Sequence, residues 1–141
     1  GNAYRAKTLM ESGVTVTFSS DEWWGGELLW SYLDPFFGIQ IGHTRQYPTE
    51  WREEGDEEIR PSEDERLSIE QMIVGYTRQG AYQLRMEDEI GSIETGKIAD
   101  LVVLDDSLFD IDSDEIWKIR RAAVLMEGEV IQGELPEGIR D

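Results

Sequence analysis

The chain contains no cysteine and a single histidine, His43. Without thiols neither a disulfide nor a thiolate metal site can form. One imidazole supplies one ligand where zinc needs three or four, so His43 reads as an ordinary helical residue. Basic residues are scarce too: 13 Lys and Arg stand against 31 Asp and Glu, a net charge of −18. Such an excess repels phosphates and argues against nucleic acid as a partner. Adaptation to high internal salt or an acidic interaction surface would each account for it; the commonest account is a solvated acidic exterior. No run approaches membrane-span length and no basic-then-apolar leader pattern opens the chain. A cytoplasmic protein with no membrane partner is therefore expected. Neither a phosphate-cradling glycine motif nor a G-x-S-x-G elbow occurs. The 141 residues suffice for one core and at most two small domains.

Local patterning then sets out the elements. Tyr4, Ala6, Leu9 and Met10 among polar neighbours predict a short helix over residues 2–12, ended by Gly13. Val14-Thr15-Val16-Thr17-Phe18 alternates and is β-branched, which predicts a strand, and Ser19-Ser20-Asp21 follows it. Trp23, Trp24 and Trp30 come close together. Covering the core is the commoner role for such a group, and lining a pocket is the other. Asp34-Pro35 predicts an N-cap and first turn of a helix over 35–45. Residues 53–65 hold eight acidic side chains and read as a solvated loop.

Ser68 and Gln71 make a capping-box pattern, with Met72, Ile73, Tyr76 and Thr77 on one helical face and Gly80 ending or bending the helix. A second short helix is expected over 81–86, and Ser113 is expected to cap a brief one carrying Ile116 and Trp117. Strands are predicted over 122–126 and 129–132 across the Glu127-Gly128 turn, with a frayed tail from Gly133. Asp110-Ile111-Asp112-Ser113-Asp114 opens like a calcium loop, but Glu115 stands where glycine is needed and no glutamate closes the loop.

The most specific stretch is Gly91-Ser92-Ile93-Glu94-Thr95-Gly96-Lys97-Ile98-Ala99-Asp100-Leu101-Val102-Val103-Leu104-Asp105. Two glycines bracket a polar turn, and an apolar run without alternation follows, the pattern of a strand covered on both faces. The stretch resembles the C-terminal signature of the amidohydrolase superfamily, G-x-I-x-x-G-K-x-A-D-L-V-V-L-D, at every position. The likeness continues upstream through Arg66-Leu67-Ser68-Ile69-Glu70 and Tyr76–Tyr82, and downstream to Val124–Val130. It is greatest to amidohydrolase family 3, some of whose members are labelled exoenzyme regulatory proteins.

The resemblance implies an α/β fold that is the C-terminal remnant of a (β/α)8 barrel, its last strand and following helices. To this it adds the C-terminal strands of the composite β domain. Residues 1–90 would be the barrel part, 91–132 the strands of the small β domain and 133–141 a tail. In the family the aspartate after the last barrel strand binds a divalent metal, zinc above all, and takes a proton from metal-bound water. Asp21 matches it, although Ser19 stands where the family commonly has glycine. By itself Asp21 would be an aspartate capping a turn. The family's His-x-His pair, carboxylated lysine and further histidines are missing here. The chain is thus expected to be the C-terminal piece of a metal-dependent hydrolase of C–N bonds in a small molecule. It would bind no metal and be inactive alone, with the rest of its barrel as partner and self-association through unpaired strand edges. The alternative is a non-catalytic acidic module for regulation or assembly.

Overall fold

The computed structural model describes residues 4–20, 33–54, 59 and 63–138. Helix α1 spans Ala6–Glu11, and α2 spans Pro35–Thr44. Helices α3, Ile69–Tyr76, and α4, Arg78–Leu84, follow; then come strand β1, Leu101–Leu104, β2, Arg121–Met126, and β3, Glu129–Gly133. Short 3-10 turns lie at Thr49–Trp51, Glu63–Glu65 and Ile116–Lys118.

Local chemistry accounts for the helix starts. The Asp34 carboxylate accepts from Phe36 N at 2.9 Å with Pro35 in the first turn, and α2 ends at Arg45 in the left-handed region. At α3 both halves of the capping box form: Ser68 N donates to Gln71 Oε1 at 2.8 Å and Gln71 N to Ser68 Oγ at 3.2 Å. The break after α3 falls at Thr77, whose backbone leaves the helical region. Gly80, expected to end or bend the helix, lies inside α4 instead. A glycine lowers helix propensity but does not forbid a helix, and Thr77 N and Oγ1 both bond the Ile73 carbonyl, closing α3 first.

The three strands form one antiparallel sheet in the order β1-β2-β3. Glu127 and Gly128 both take positive φ, 52° and 84°, the two-residue turn that matches the twist of a hairpin. The chain stays paired beyond the expected fraying point, since Gly133 belongs to β3 and Glu134 N donates to Ala122 O at 3.0 Å. Strand β1 is not covered on both faces: Val102 is 53% exposed. It lies at an edge of the sheet, so an unalternating apolar run does not by itself bring two covering layers.

The stretch Val14–Phe18 forms no strand; residues 14–20 carry no ladder. A β-branched run becomes a strand only beside a neighbour that takes its backbone groups, and among the described residues none does. The run is instead held by side chains. Phe18 packs on Tyr76, with ring centroids 5.7 Å apart, and fills the space a Cβ at Gly75 would occupy. The short turn near residue 116 is not capped by Ser113 either: Glu115 is its N-cap, and the Asp112 carboxylate accepts from Asp114 N at 2.9 Å.

The core gathers Phe36 and Ile39 of α2, Leu67, Ile69 and Met72 of α3 and its lead-in, and Leu108, Ile116 and Ile119. Ala6, Met10 and Phe18 pack against it from the N-terminal arm, and Leu104 from the sheet. Arg121 of β2 adds a second tie, paired with Asp34 and lying 4.9 Å from the Phe36 ring centroid. Among the described residues no helix is long and apolar enough to cross a membrane.

Candidate functional site

Asp21, the residue expected to carry chemistry and bind metal, lies outside the described residues, as do Trp23, Trp24 and Trp30. What is described is the arm leading to it. Thr17 Oγ1 donates to Gln83 Oε1 at 2.6 Å, and Phe18 rests on Gly75 and Tyr76. Helices α3 and α4 thus fix the arm just before Ser19 and Ser20. Tyr76 is also pressed against Gly38 of α2, and burial, with the Asp34 charge second, raises its hydroxyl above the ordinary phenol range.

The single histidine is committed elsewhere. His43 Nδ1 lies 2.8 Å from the Leu67 carbonyl, an acceptor, so this nitrogen carries the proton and donates. With Leu67 N donating to Gly42 O, it ties the end of α2 to the lead-in of α3. Among the described residues no three His, Cys, Asp or Glu side chains come together to hold a metal. The described residues therefore do not fit a metal centre. The calcium-like segment is likewise occupied by structure: the Asp114 carboxylate accepts from Arg52 at 3.0 Å and from Thr49 N at 3.2 Å.

The glycine-bracketed stretch proves to be a staple. Lys97, whose side chain is 14% exposed, donates from Nζ to Glu87 O at 2.5 Å and to Ser92 Oγ at 2.6 Å, with Glu94 at 3.6 Å. Ser92 Oγ in turn donates to Glu94 Oε1 at 2.6 Å; that bond, with the Lys97 charge next, lowers the Glu94 carboxyl below its ordinary value. The hairpin turn is caught by the same stretch: Glu127 N donates to Asp100 Oδ1 at 2.8 Å and Gly128 N to Ala99 O at 3.0 Å. Gly91, at φ 87°, lies so close to α4 that a Cβ would come within 2.5 Å of the Ala81 Cβ.

A groove of about 730 Å³ runs between this loop, α3 and α4, lined by Thr15, Arg78, Gln79, Glu87 and Lys97 among others. It meets the arm at Thr15, six residues before Asp21 in the sequence. Two oxygens in its walls, Gln79 Oε1 and Glu87 Oε2, are buried without a hydrogen-bond partner.

Sequence reasoning missed two buried polar centres. Glu65, within the stretch read as a solvated acidic loop, is only 3% exposed and meets Thr8 and Arg5 of the arm. Gln40 is fully buried and bonds Trp117 N at 3.0 Å. Neither carries a local signal, because the partners lie far away along the chain.

Helices packed beside a small antiparallel sheet define a mixed α/β protein, and the stapled glycine loop is the joint between the two parts. The family model described as "Amidohydrolase family" matches residues 1–132, and the chain belongs to that family. No match was found among curated proteins or among solved structures. Hydrolase chemistry, generally metal-dependent, is what this membership suggests.

Proposed function

We propose that the chain is the C-terminal part of a metal-dependent amidohydrolase acting on C–N bonds, amide or cyclic amide, of a small molecule. The observation that carries this is the family match over residues 1–132, which spans the arm, Asp21 and the sheet in one alignment. Residues 1–90 would then complete a barrel supplied by the rest of the enzyme, and 91–132 would be strands of its small β domain. A divalent metal, zinc by preference, would supply an acidic water when bound. Asp21 would contribute a carboxylate to that metal and would serve as proton acceptor, since it follows in sequence the segment that the family resemblance makes the last barrel strand, and active sites of this architecture form at the C-terminal ends of the strands.

A second reading, a non-catalytic acidic module for regulation or assembly, draws on the lack of any three-ligand group among the described residues. An in-frame upstream region encoding a barrel with His-x-His separates the two. The direct test is Asp21→Asn in the protein that contains that barrel, assayed on a substrate the unaltered protein hydrolyses. Asparagine keeps the shape and removes both charge and proton acceptor, so turnover should fall by about 100-fold or more with the fold intact. Turnover within a few-fold of the unaltered protein would make Asp21 a turn-capping residue.

A further inference from the structure

We propose that Glu65 is the positioning residue for the N-terminal arm, clamping residues 5–20 onto the body of the chain. Helix α1 is six residues long, and its N-cap, Arg5, makes no side-chain cap. A helix of that length is marginal on its own, with orphan N–H groups at its start. Glu65 supplies the missing cap from 57 residues away: Oε2 accepts from Thr8 N at 3.2 Å, and Oε1 accepts from the Thr8 hydroxyl. Arg5 Nε donates to the same Oε1 at 3.3 Å. The carboxylate also faces the positive end of the α1 dipole, where negative charge is favoured.

The groups around Glu65 make its charge, and not merely its shape, the holding element. From α1 it faces Arg5 and Thr8; from the end of α2, Arg45 feels its charge; on its own turn stand Glu63 and Asp64. Arg45 Nε is buried without a hydrogen-bond partner, so a neutral Glu65 would leave that guanidinium uncompensated. Apart from this clasp, α1 meets the core through Ala6 and Met10. The clamp's bearing on catalysis rests on the reading of Asp21 given above, since the arm runs straight to that residue; the clamp itself does not depend on it.

Acid should release it. Hydrogen bonds from Thr8, chiefly its hydroxyl, hold the Glu65 carboxyl below the ordinary value near 4.5, against the opposing pull of burial. A lowered folded value means the clamp is complete above the ordinary carboxylate range and is lost as pH falls through the lowered value.

Amide hydrogen exchange of the chain, expressed as protection factors for residues 6–14, 69–76 and 121–133, tests the proposal. In Glu65→Gln at neutral pH, protection over 6–14 should drop about ten-fold or more, while 69–76 and 121–133 change less than about two-fold. Thr8→Val, which removes the hydroxyl and leaves the carboxylate, should reproduce the local loss in milder form. In the unaltered chain, protection over 6–14 should step down as pH falls below the carboxylate range, and Glu65→Gln should abolish that step. Unchanged protection over 6–14 in both variants, or equal loss in all three regions, overturns the clamp. If Glu65→Gln does not fold, Thr8→Val decides alone by the same criteria. Exchange reads the clamp and turnover of Asp21→Asn reads the active site, so failure of one is distinct from failure of the other.

Discussion

Replacing Gln40 by Met probes how the second half of the chain is locked onto α2. The side chain is fully buried; its Oε1 accepts from Trp117 N at 3.0 Å and its Nε2 reaches Asp114 Oδ1 at 3.4 Å. Methionine has nearly the same volume, so the cavity contribution is small. Asp114 keeps Arg52 and Thr49 N, so its carboxylate is not stranded. Trp117 N loses its acceptor, which costs about 1 kcal/mol for the bond and a further 1–2 kcal/mol for the desolvated donor. The expected loss is about 2–3 kcal/mol, or about 10 °C in Tm for a chain of this size. Urea unfolding followed by far-UV circular dichroism measures it, with the slope expected to stay constant. Gln79→Met is the internal control: Gln79 Oε1 is already without a partner, so its removal should be neutral to about 0.5 kcal/mol or stabilising. A loss below about 0.5 kcal/mol at Gln40, or equal losses at both glutamines, would refute the reasoning, because the cost is assigned to stranding one donor.

Alanine at the two glycines of the staple should behave differently. Gly91→Ala combines a left-handed backbone with a Cβ placed 2.5 Å from the Ala81 Cβ, and should cost about 2–4 kcal/mol; Gly96→Ala meets open space and should cost about 1 kcal/mol, both read by urea unfolding. We also expect the chain to self-associate, because Val102, Met126 and Ile131 are each more than half exposed and neither outer edge of the sheet has a strand partner among the described residues. Sedimentation should show association strengthening as salt screens the charge of −18, and a monomer at every protein and salt concentration would refute it.

What could be read from the sequence was local. The Asp34 cap, the Ser68–Gln71 box and the Glu127-Gly128 turn all depend on residues within three or four positions of each other, and each formed as expected. The strand at Val14–Phe18 did not form because strand formation depends on a partner, and the run carries no information about who that is. Glu65 was hidden by its neighbours. Seven other acidic residues within 53–65 give the segment a solvated look, and Thr8, which decides its burial, lies 57 positions upstream. The early break at Thr77 turned on a hydroxyl bonding Ile73 O at 2.7 Å, a choice that β-branching permits but does not dictate. Asp21 was legible only through resemblance, and it falls outside the described residues.

The most recognisable stretch of the chain and its proposed chemistry are thus separate things. Each polar residue that the glycine-bracketed signature specifies has a structural partner: Lys97 with Glu87 O and Ser92, Asp100 with Glu127 N, and Asp105 with Arg120. Gly91 answers the close approach of α4, and Gly96, at φ 97° with open space around it, answers backbone conformation alone. These are requirements of joining a helical layer to a hairpin, and they hold whether or not a metal is ever bound. A chain could therefore keep the signature intact after losing its catalytic carboxylate, and would still belong to the family by the same residues. Family membership establishes the joint; whether this chain belongs to a working hydrolase turns on the arm, on Asp21 at its end, and on Glu65, proposed here as the carboxylate that clamps that arm in place.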